Sequence, residues 1–254
     1  MIFGGQLANL MTFISLAAAF MSIVFSLEGH FTFACWAVLG SVVFDGLDGQ
    51  IARYAKCSSE FGKELDSLVD AIAFGVAPAI LGYKFVYETF SVPTSLAGSF
   101  YSRFFEYHGF HPLAMCALFV YLFCSVFRLA KYNVTPKESL TNYFLGLPTT
   151  ASGGVLASFI LMYREYAKVP KPELFLCLEL LLAFFMISRV RYLNLDALMR
   201  LVGKKIFAVL VILVIIVALF RPEETVFVLS LAYLATCPMI VRIFVNGKSS
   251  RKKI

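Results

Sequence analysis

Residues 45–70 read DGLDGQIARYAKCSSEFGKELDSLVD and hold four of the five aspartates in a chain of 254 residues. Their flanks are apolar, and a carboxylate at the centre of a membrane helix costs about 2.5–3.5 kcal/mol on insertion scales. Such a cluster is tolerable only beside counter-charges or in a wet cavity. The stretch predicts two helices joined by a short polar turn at residues 56–60, with a polar site between them.

Helical periodicity places the polar and small residues of each predicted helix on one face. On the first helix this face holds Asp45, Asp48, Gly49, Ala52 and Arg53. On the second it holds Gly62, Asp66 and Asp70. Two helices that face each other would therefore present all four carboxylates to one shared point.

Four carboxylates without histidine or thiolate suit a hard divalent cation such as Mg²⁺ or Mn²⁺, and two ions would balance the four charges. Glycine and alanine on the same faces leave room for a flat base or a pyrophosphate, and Arg53 can pair with phosphate oxygens. Two plainer interpretations stay open. The aspartates could cap helices or solvate a loop, and the small residues could merely allow close helix packing.

The rest of the chain predicts a membrane setting, because 60% of it is hydrophobic and its mean hydropathy is +0.81. Continuous apolar runs favour helices over a barrel, whose strands would alternate. The expected fold is an all-α, multi-pass membrane bundle, one domain over residues 1–254. About eight transmembrane helices are predicted, near 5–27, 31–53, 64–83, 112–131, 149–163, 172–189, 204–220 and 225–245.

The basic residues predict the orientation, because cytoplasmic loops retain Lys and Arg. One side of the predicted bundle collects 16 of the 22 basic residues. Both termini and the aspartate segment are therefore expected at the cytoplasmic face of the cell membrane. The first helix should be retained, since it shows no signal-peptide pattern, and the widest interruption, Lys84 to His111, is expected to be an outer loop. No basic domain large enough for nucleic acid lies outside the predicted spans.

Residues 45–70 resemble the CDP-alcohol phosphotransferase signature at every defining position. The resemblance implies a membrane enzyme, usually a homodimer, in which an alcohol displaces CMP from a CDP-linked lipid. It implies that the metal ligands are Asp45, Asp48 and Asp66, with Asp70 completing the metal site and acting as the base. It further implies that the CDP-lipid is bound by Asp48, Gly49, Ala52, Arg53 and Gly62, with Asn9 and Thr12 as an amino-terminal element near the nucleotide.

Further motifs narrow the alcohol: DSLVDAIAFGVAPA at 66–79, FRLAKYN at 127–133, GLPTTA at 146–151 and SRVRY at 188–192. Together they look like the integral-membrane phosphatidylserine synthases, which implies CDP-diacylglycerol and L-serine as substrates. Selection of serine needs a cation for its carboxylate, and Arg128 or Lys131 could supply it, with Asn133 on the amino group. These residues could instead be topology anchors and a helix cap. Glycerol 3-phosphate, inositol or an ether-lipid donor, as in archaetidylserine synthases, stay open as alternatives.

Two other classes of membrane protein also use carboxylates within helical bundles. Intramembrane prenyltransferases hold a diphosphate with two aspartate motifs, but those motifs lie far apart in sequence. A cation transporter would place acidic residues deep within several helices, whereas the aspartates here gather at one predicted cytoplasmic edge. Glu179, in the sixth predicted span, could face the bundle interior or snorkel, and the sequence assigns it no role.

Overall fold

A computed structural model describes residues 2–55, 59–91, 112–135, 143–167, 171–193 and 203–235. Most of these residues are helical, which confirms the all-α prediction. The helices are α1 Ile2–Leu27, α2 Phe31–Ala55, α3 Glu60–Asp70, α4 Ala77–Ser91, α5 Pro112–Val134, α6 Thr149–Tyr166, α7 Pro172–Ile187 and α8 Lys204–Phe220, followed by helical residues 222–235. A π-helical segment, Ala71–Val76, joins α3 to α4 without a break.

The described residues include four helical stretches that are long and apolar enough to cross a membrane. These are Gly5–Leu27, Phe31–Ile51, Glu60–Thr89 and Ala114–Val134. Helices α7 and α8 are apolar but have 16 and 17 residues, against the ~20 that span a bilayer without thinning it. The chain is an integral membrane protein, while the total of eight spans stays a prediction.

The predicted outer loop from Lys84 to His111 is wrong in its first part, because α4 continues to Ser91. Polar side chains support the additional helical turns. Lys84 lies 3.9 Å from Glu88 one turn later, and the Thr89 hydroxyl donates to the carbonyl of Phe85. Residues 92–111 lie outside the described part of the chain.

Helices α1 and α2 form a closely packed hairpin. Gly29 ends α1 with a positive φ of 78°, and the amide of His30 donates to the Phe25 carbonyl, which is a Schellman ending. Along the seam the hydroxyls of Ser15 and Ser41 lie 2.9 Å apart, and each also contacts the other's backbone carbonyl. Small polar residues allow this close approach and fix the register of α1 on α2.

The main apolar core lies among α2, α4, α5, α6 and α7. In α4, Leu81 and Phe85 are buried, and the Phe85 ring meets the Phe175 ring of α7 edge-on at 5.5 Å. Gly82 makes room for that contact, because a Cβ there would lie 2.7 Å from the Phe175 ring. Helix α3 has only Val69 buried among its described side chains. The continuous helix is therefore anchored at its α4 end, and its α3 end carries the polar site.

Two short strands pair antiparallel beside the bundle, β1 Tyr143–Leu145 and β2 Arg191–Leu193. The sequence did not predict them. The turn after β1 needs Gly146, whose φ is +79° and whose Cβ would run into the Met186 carbonyl. The Gly146 amide donates to the Val190 carbonyl at 2.8 Å. This pairing ties the start of α6 to the end of α7.

Candidate active site

Three carboxylates converge where α2 approaches α3. Asp45 and Asp48 are three residues apart on α2, and Asp66 lies in the middle of α3. One oxygen from each of the three lies within 4.8 Å of the others. The helical spacing that predicted a common face thus brings these three side chains to one point.

Asp70 joins the same cluster from one helical turn beyond Asp66. Its carboxyl group lies beside that of Asp45, and the charges of Asp45, Asp48 and Asp66 all act on it. Its Oδ1 atom is buried and has no hydrogen-bond partner among the described residues. Asp70 therefore keeps one carboxylate oxygen free for a ligand.

The cluster has the donor chemistry of a divalent-cation site. Four half-buried or buried carboxylates repel one another, so charge compensation is needed to keep them together in an apolar bundle. The donors are oxygen atoms only, the preference of Mg²⁺ and Mn²⁺. The triad of Asp45, Asp48 and Asp66 can hold such an ion, and the free Oδ1 of Asp70 is available beside it.

Helix α1 supports the cluster from the other side. The Thr12 hydroxyl is buried and donates to Asp48 Oδ2 at 2.8 Å, while also contacting the Ala8 carbonyl. The family resemblance implied that Thr12 lies near the nucleotide. In the fold, its hydroxyl hydrogen-bonds the carboxylate of Asp48. This hydrogen bond restrains the orientation of the Asp48 carboxylate.

The small residues predicted to line a nucleotide site lie around the cluster. A Cβ built at Gly62 would stand 3.2 Å from Asn9 Oδ1 and 3.1 Å from Ser59 Oγ, so Asn9 and Gly62 are neighbours. A Cβ at Gly49 would meet none of the described atoms within 4 Å, which leaves open space at that face in the described part of the structure. Ala52 and Arg53 continue α2, but their side chains lie outside the described part of the structure.

Of the three residues predicted to select the acceptor, Arg128 is the buried one. It lies near the end of α5, and the charge of Asp70 acts on it. Its NH1 atom makes a long hydrogen bond of 3.5 Å to Thr149 Oγ1, and its Nε has no partner within the part of the chain that the structure describes. A buried guanidinium with a free donor can receive an anionic group beside Asp70.

Asn133 and Lys131 lie farther along the same helix. The Asn133 amide donates to the Ser67 hydroxyl at 2.7 Å, so it is tied to the residue that follows Asp66. Lys131 is exposed on the last turn of α5. The fold brings Arg128 and Asn133 to the α3 surface and leaves Lys131 at the periphery.

Three polar contacts near the site were missed at the level of sequence. They are the Thr12 bond to Asp48, the Thr149 bond to Arg128 and a buried Tyr121 that reaches the π-helical segment. Thr149 belongs to the GLPTTA motif and could have been noticed. Tyr121 sits in an apolar run with no local signal, because its partner lies 47 residues away.

Comparison with known proteins covers the region that holds the site. A family model described as CDP-alcohol phosphatidyltransferase matches residues 5–190. A CDP-diacylglycerol–serine O-phosphatidyltransferase of Helicobacter pylori (strain ATCC 700392 / 26695) is 33% identical over 228 residues, which are 89% of this chain and 86% of that protein.

More distant relatives carry related names. A CDP-diacylglycerol–serine O-phosphatidyltransferase of Mycobacterium leprae is 32% identical over 150 residues, 57% of this chain and 43% of that protein. An archaetidylserine synthase of Methanothermobacter thermautotrophicus is 30% identical over 192 residues, 75% of this chain and 70% of that protein. All four clustered aspartates and Arg128 lie within the residues matched by the family model.

Proposed function

The chain belongs to the CDP-alcohol phosphatidyltransferase family, and from this premise we propose that it transfers the phosphatidyl group of CDP-diacylglycerol to the hydroxyl of L-serine. CMP leaves and phosphatidylserine is the product. The observation that carries the proposal is the convergence of four carboxylates with a buried arginine beside Asp70. The relatives of Helicobacter pylori and Mycobacterium leprae, named for the same donor and acceptor, support it.

In the proposed reaction the serine hydroxyl oxygen attacks the phosphorus that carries the diacylglycerol. A new bond forms between that oxygen and phosphorus, and the bond from phosphorus to the bridging oxygen of CMP breaks. Asp70 accepts the hydroxyl proton on its unpartnered Oδ1. One or two Mg²⁺ or Mn²⁺ ions, held by Asp45, Asp48, Asp66 and Asp70, would neutralise the phosphate charge when bound.

The CDP-lipid donor is assigned to the face of α2 and α3 that carries glycine and alanine beside the carboxylates. Asp48, Gly49, Ala52, Arg53 and Gly62 would line the CDP moiety, with Asn9 and Thr12 of α1 beside it. The open space at Gly49 and the closeness of Asn9 to Gly62 support this assignment. The backbone can approach a pyrophosphate at both glycines because neither has a Cβ.

The acceptor is assigned to the α5 side of the cluster. Arg128 pairs with the serine carboxylate, which places the serine hydroxyl next to Asp70. Asn133 would contact the amino group through its position beside Ser67, and Lys131 would contribute positive potential from the periphery. The burial of Arg128 favours this role over topology anchoring, since an anchoring arginine would reach the headgroups.

The proposal extends to the assembly and placement of the chain. We infer one catalytic domain over residues 1–254, which functions as a homodimer in the cell membrane. The carboxylates and both termini face the cytoplasm, where CMP is released.

The decisive experiment supplies purified protein with labelled CDP-diacylglycerol, Mg²⁺ or Mn²⁺, and serine, glycerol 3-phosphate or inositol in parallel. We expect metal-dependent CMP release and a labelled lipid product with serine only. CMP release with another alcohol would support the reaction of the family and would identify that alcohol, instead of serine, as the acceptor. No release with any of the three would contradict the proposed activity and would favour a non-enzymatic use of the carboxylates, such as cation transport.

A second candidate concerns the donor. The likeness to an archaetidylserine synthase, which covers 75% of this chain, favours an ether-lipid donor as the alternative. The same assay run with ester-linked and ether-linked CDP-lipids in separate vesicles distinguishes the two. A kcat/KM at least about tenfold higher with the ether donor would replace diacylglycerol in the proposal.

A further inference from the structure

The helix that carries Asp70 changes its geometry immediately after that residue. Ala71–Val76 is π-helical, with one more residue per turn than the α-helical segments on either side. The Phe74 carbonyl within it accepts a hydrogen bond of 2.9 Å from the hydroxyl of Tyr121 on α5. π-Helical turns are rare and are frequently found at functional sites. The hydrogen bond from Tyr121 to the Phe74 carbonyl is therefore a candidate functional contact.

Tyr121 is built into the bundle rather than lying on its surface. Its side chain is fully buried, and its hydroxyl also lies 3.0 Å from the hydroxyl of Ser152 on α6. Ser152 in turn donates to the Thr149 carbonyl, on the residue whose side chain meets Arg128. A buried polar chain therefore links the π-helical segment to the arginine beside Asp70.

Helix α5 contacts the helix that carries Asp70 at several points along its length. Tyr121 meets Phe74, Arg128 lies near Asp70, and Asn133 meets Ser67. On α5, Ser125 lies between Tyr121 and Arg128. Gly75 packs against it so closely that a Cβ at Gly75 would stand 3.3 Å from Ser125 Oγ. On the π-helical segment itself, Gly75 makes a packing contact with α5 and Phe74 accepts the hydrogen bond from Tyr121.

We propose that Tyr121 is a positioning residue for Asp70 and acts through the Phe74 carbonyl. If the π-helical segment relaxed to α-helix, one residue would leave the turn, and one end of the helix would rotate by about 100° against the other. Helix α4 cannot rotate, because Leu81 and Phe85 are buried and Gly82 packs on Phe175. Complete relaxation would place this rotation on α3 and turn Asp66 and Asp70 away from α2. Loss of the Tyr121 hydrogen bond alone allows a small part of this movement, which reaches Asp70 first because it directly precedes the segment.

This inference rests on the proposed function, because it concerns the residue that accepts the proton. It predicts that loss of the Tyr121 hydroxyl lowers kcat and leaves the affinity for the CDP-lipid donor nearly unchanged. A small displacement of the base impairs proton transfer strongly, and a 1 Å misplacement can cost about 100-fold in rate. Of the seven residues assigned to the CDP-lipid, all except Gly62 lie on α1 and α2, whose hairpin has its own hydrogen-bonded seam, whereas Asp70 directly precedes the π-helical segment.

The test compares Tyr121→Phe with Tyr83→Phe in the full-length protein reconstituted in vesicles. Tyr83 is half-buried on α4, stacks on Tyr87 and lies away from the π-helical segment, so it controls for the loss of one hydroxyl. The measurements are kcat for CMP release with saturating serine, the Kd for CDP-diacylglycerol with Mn²⁺ in the absence of serine, and the melting temperature. Ser152→Ala removes the second hydroxyl contact without touching the ring and serves as a milder variant.

We expect Tyr121→Phe to lower kcat by about 10- to 100-fold with a donor Kd within about threefold of the parent, and Tyr83→Phe to change neither. Ser152→Ala should lower kcat by less. Unchanged kcat in Tyr121→Phe would overturn the inference, as would a parallel loss of kcat, donor affinity and melting temperature in Tyr121→Phe and Ser152→Ala. Failure of the parent protein to use serine would instead count against the proposed acceptor, and the comparison would then be made with the alcohol that it does use.

Discussion

Asp70 differs from the other three clustered aspartates in having a buried oxygen that no described residue contacts by a hydrogen bond. Asp48 is held by Thr12, whereas Asp45 and Asp66 complete the triad of oxygens. A carboxylate oxygen without a hydrogen-bond partner can accept the proton of a bound alcohol. Asp70 is therefore the residue at which ligand binding and catalysis can be separated by mutation.

Replacement of Asp70 by asparagine should lower kcat by about 10²–10⁴-fold, the usual contribution of a general base. The amide keeps an oxygen for ligation, so Mn²⁺ affinity should fall far less than kcat. Steady-state CMP release together with Mn²⁺ titration checks this. A near-normal kcat with intact metal binding would remove Asp70 as the base.

Replacement of Arg128 by alanine should raise the serine KM by about 10- to 100-fold or abolish turnover, because a charge-assisted pair to the serine carboxylate is lost. Binding of CDP-diacylglycerol should persist. The matched control is Lys131→Ala, one turn away and exposed, for which a change of less than about threefold in KM is expected. Equal effects of the two variants would show that the basic charge acts at long range rather than through contact.

Replacement of Thr12 by valine tests the support of the cluster by α1. The variant keeps the shape of the side chain and removes the hydrogen bond to Asp48. Loss of a group that orients a metal ligand typically costs about 10- to 100-fold in metal affinity or activity, so half-activation should need correspondingly more Mn²⁺. Ser26→Ala removes a hydroxyl that donates only within α1, to the Ser22 carbonyl, and should leave the Mn²⁺ requirement unchanged.

At the scale of elements, the sequence predicted the parts of the fold that depend on local pattern. Apolar runs located the helices, and helical spacing placed Asp45, Asp48 and Asp66 together. The π-helical segment and the two strands were not predictable in this way. Both depend on partners distant in sequence, such as Tyr121 for Phe74 and Val190 for Gly146.

The paired strands provide a test of stability that is separate from catalysis. Gly146→Ala should destabilise the fold by about 2–4 kcal/mol, because the residue has a positive φ and its Cβ would meet the Met186 carbonyl. The control is Gly154→Ala within α6, whose Cβ would find its nearest neighbour, Val42, at 3.9 Å. Thermal unfolding in detergent should show a clear loss for the first variant and little change for the second. Equal melting temperatures would mean that the turn after β1 contributes nothing to stability.

At the scale of the whole molecule, the two ends of the bundle differ in chemistry. One end gathers the aspartates, Arg128 and the paired strands. At the opposite end a Cβ on Gly29 would stand 3.1 Å from the Glu88 carboxylate, and Arg164 lies 5.2 Å from the Phe31 ring. The predicted excess of basic residues falls on the first end, so the site and the cytoplasmic face should coincide.

This orientation can be tested with reporter fusions, since the positive-inside rule predicts the side of every connection. Green fluorescent protein fused after residue 254 should fluoresce, and alkaline phosphatase at the same point should be inactive, because the carboxyl terminus is expected in the cytoplasm. Fusions after residue 168, between α6 and α7, should show the reverse pattern and serve as the internal control. Active phosphatase at residue 254 would place the carboxyl terminus outside and require an odd number of spans if the amino terminus is inside. Active phosphatase at residue 254 together with an inactive one at residue 168 would invert the bundle and place the carboxylates on the outer face, away from the cytoplasmic nucleotide pool.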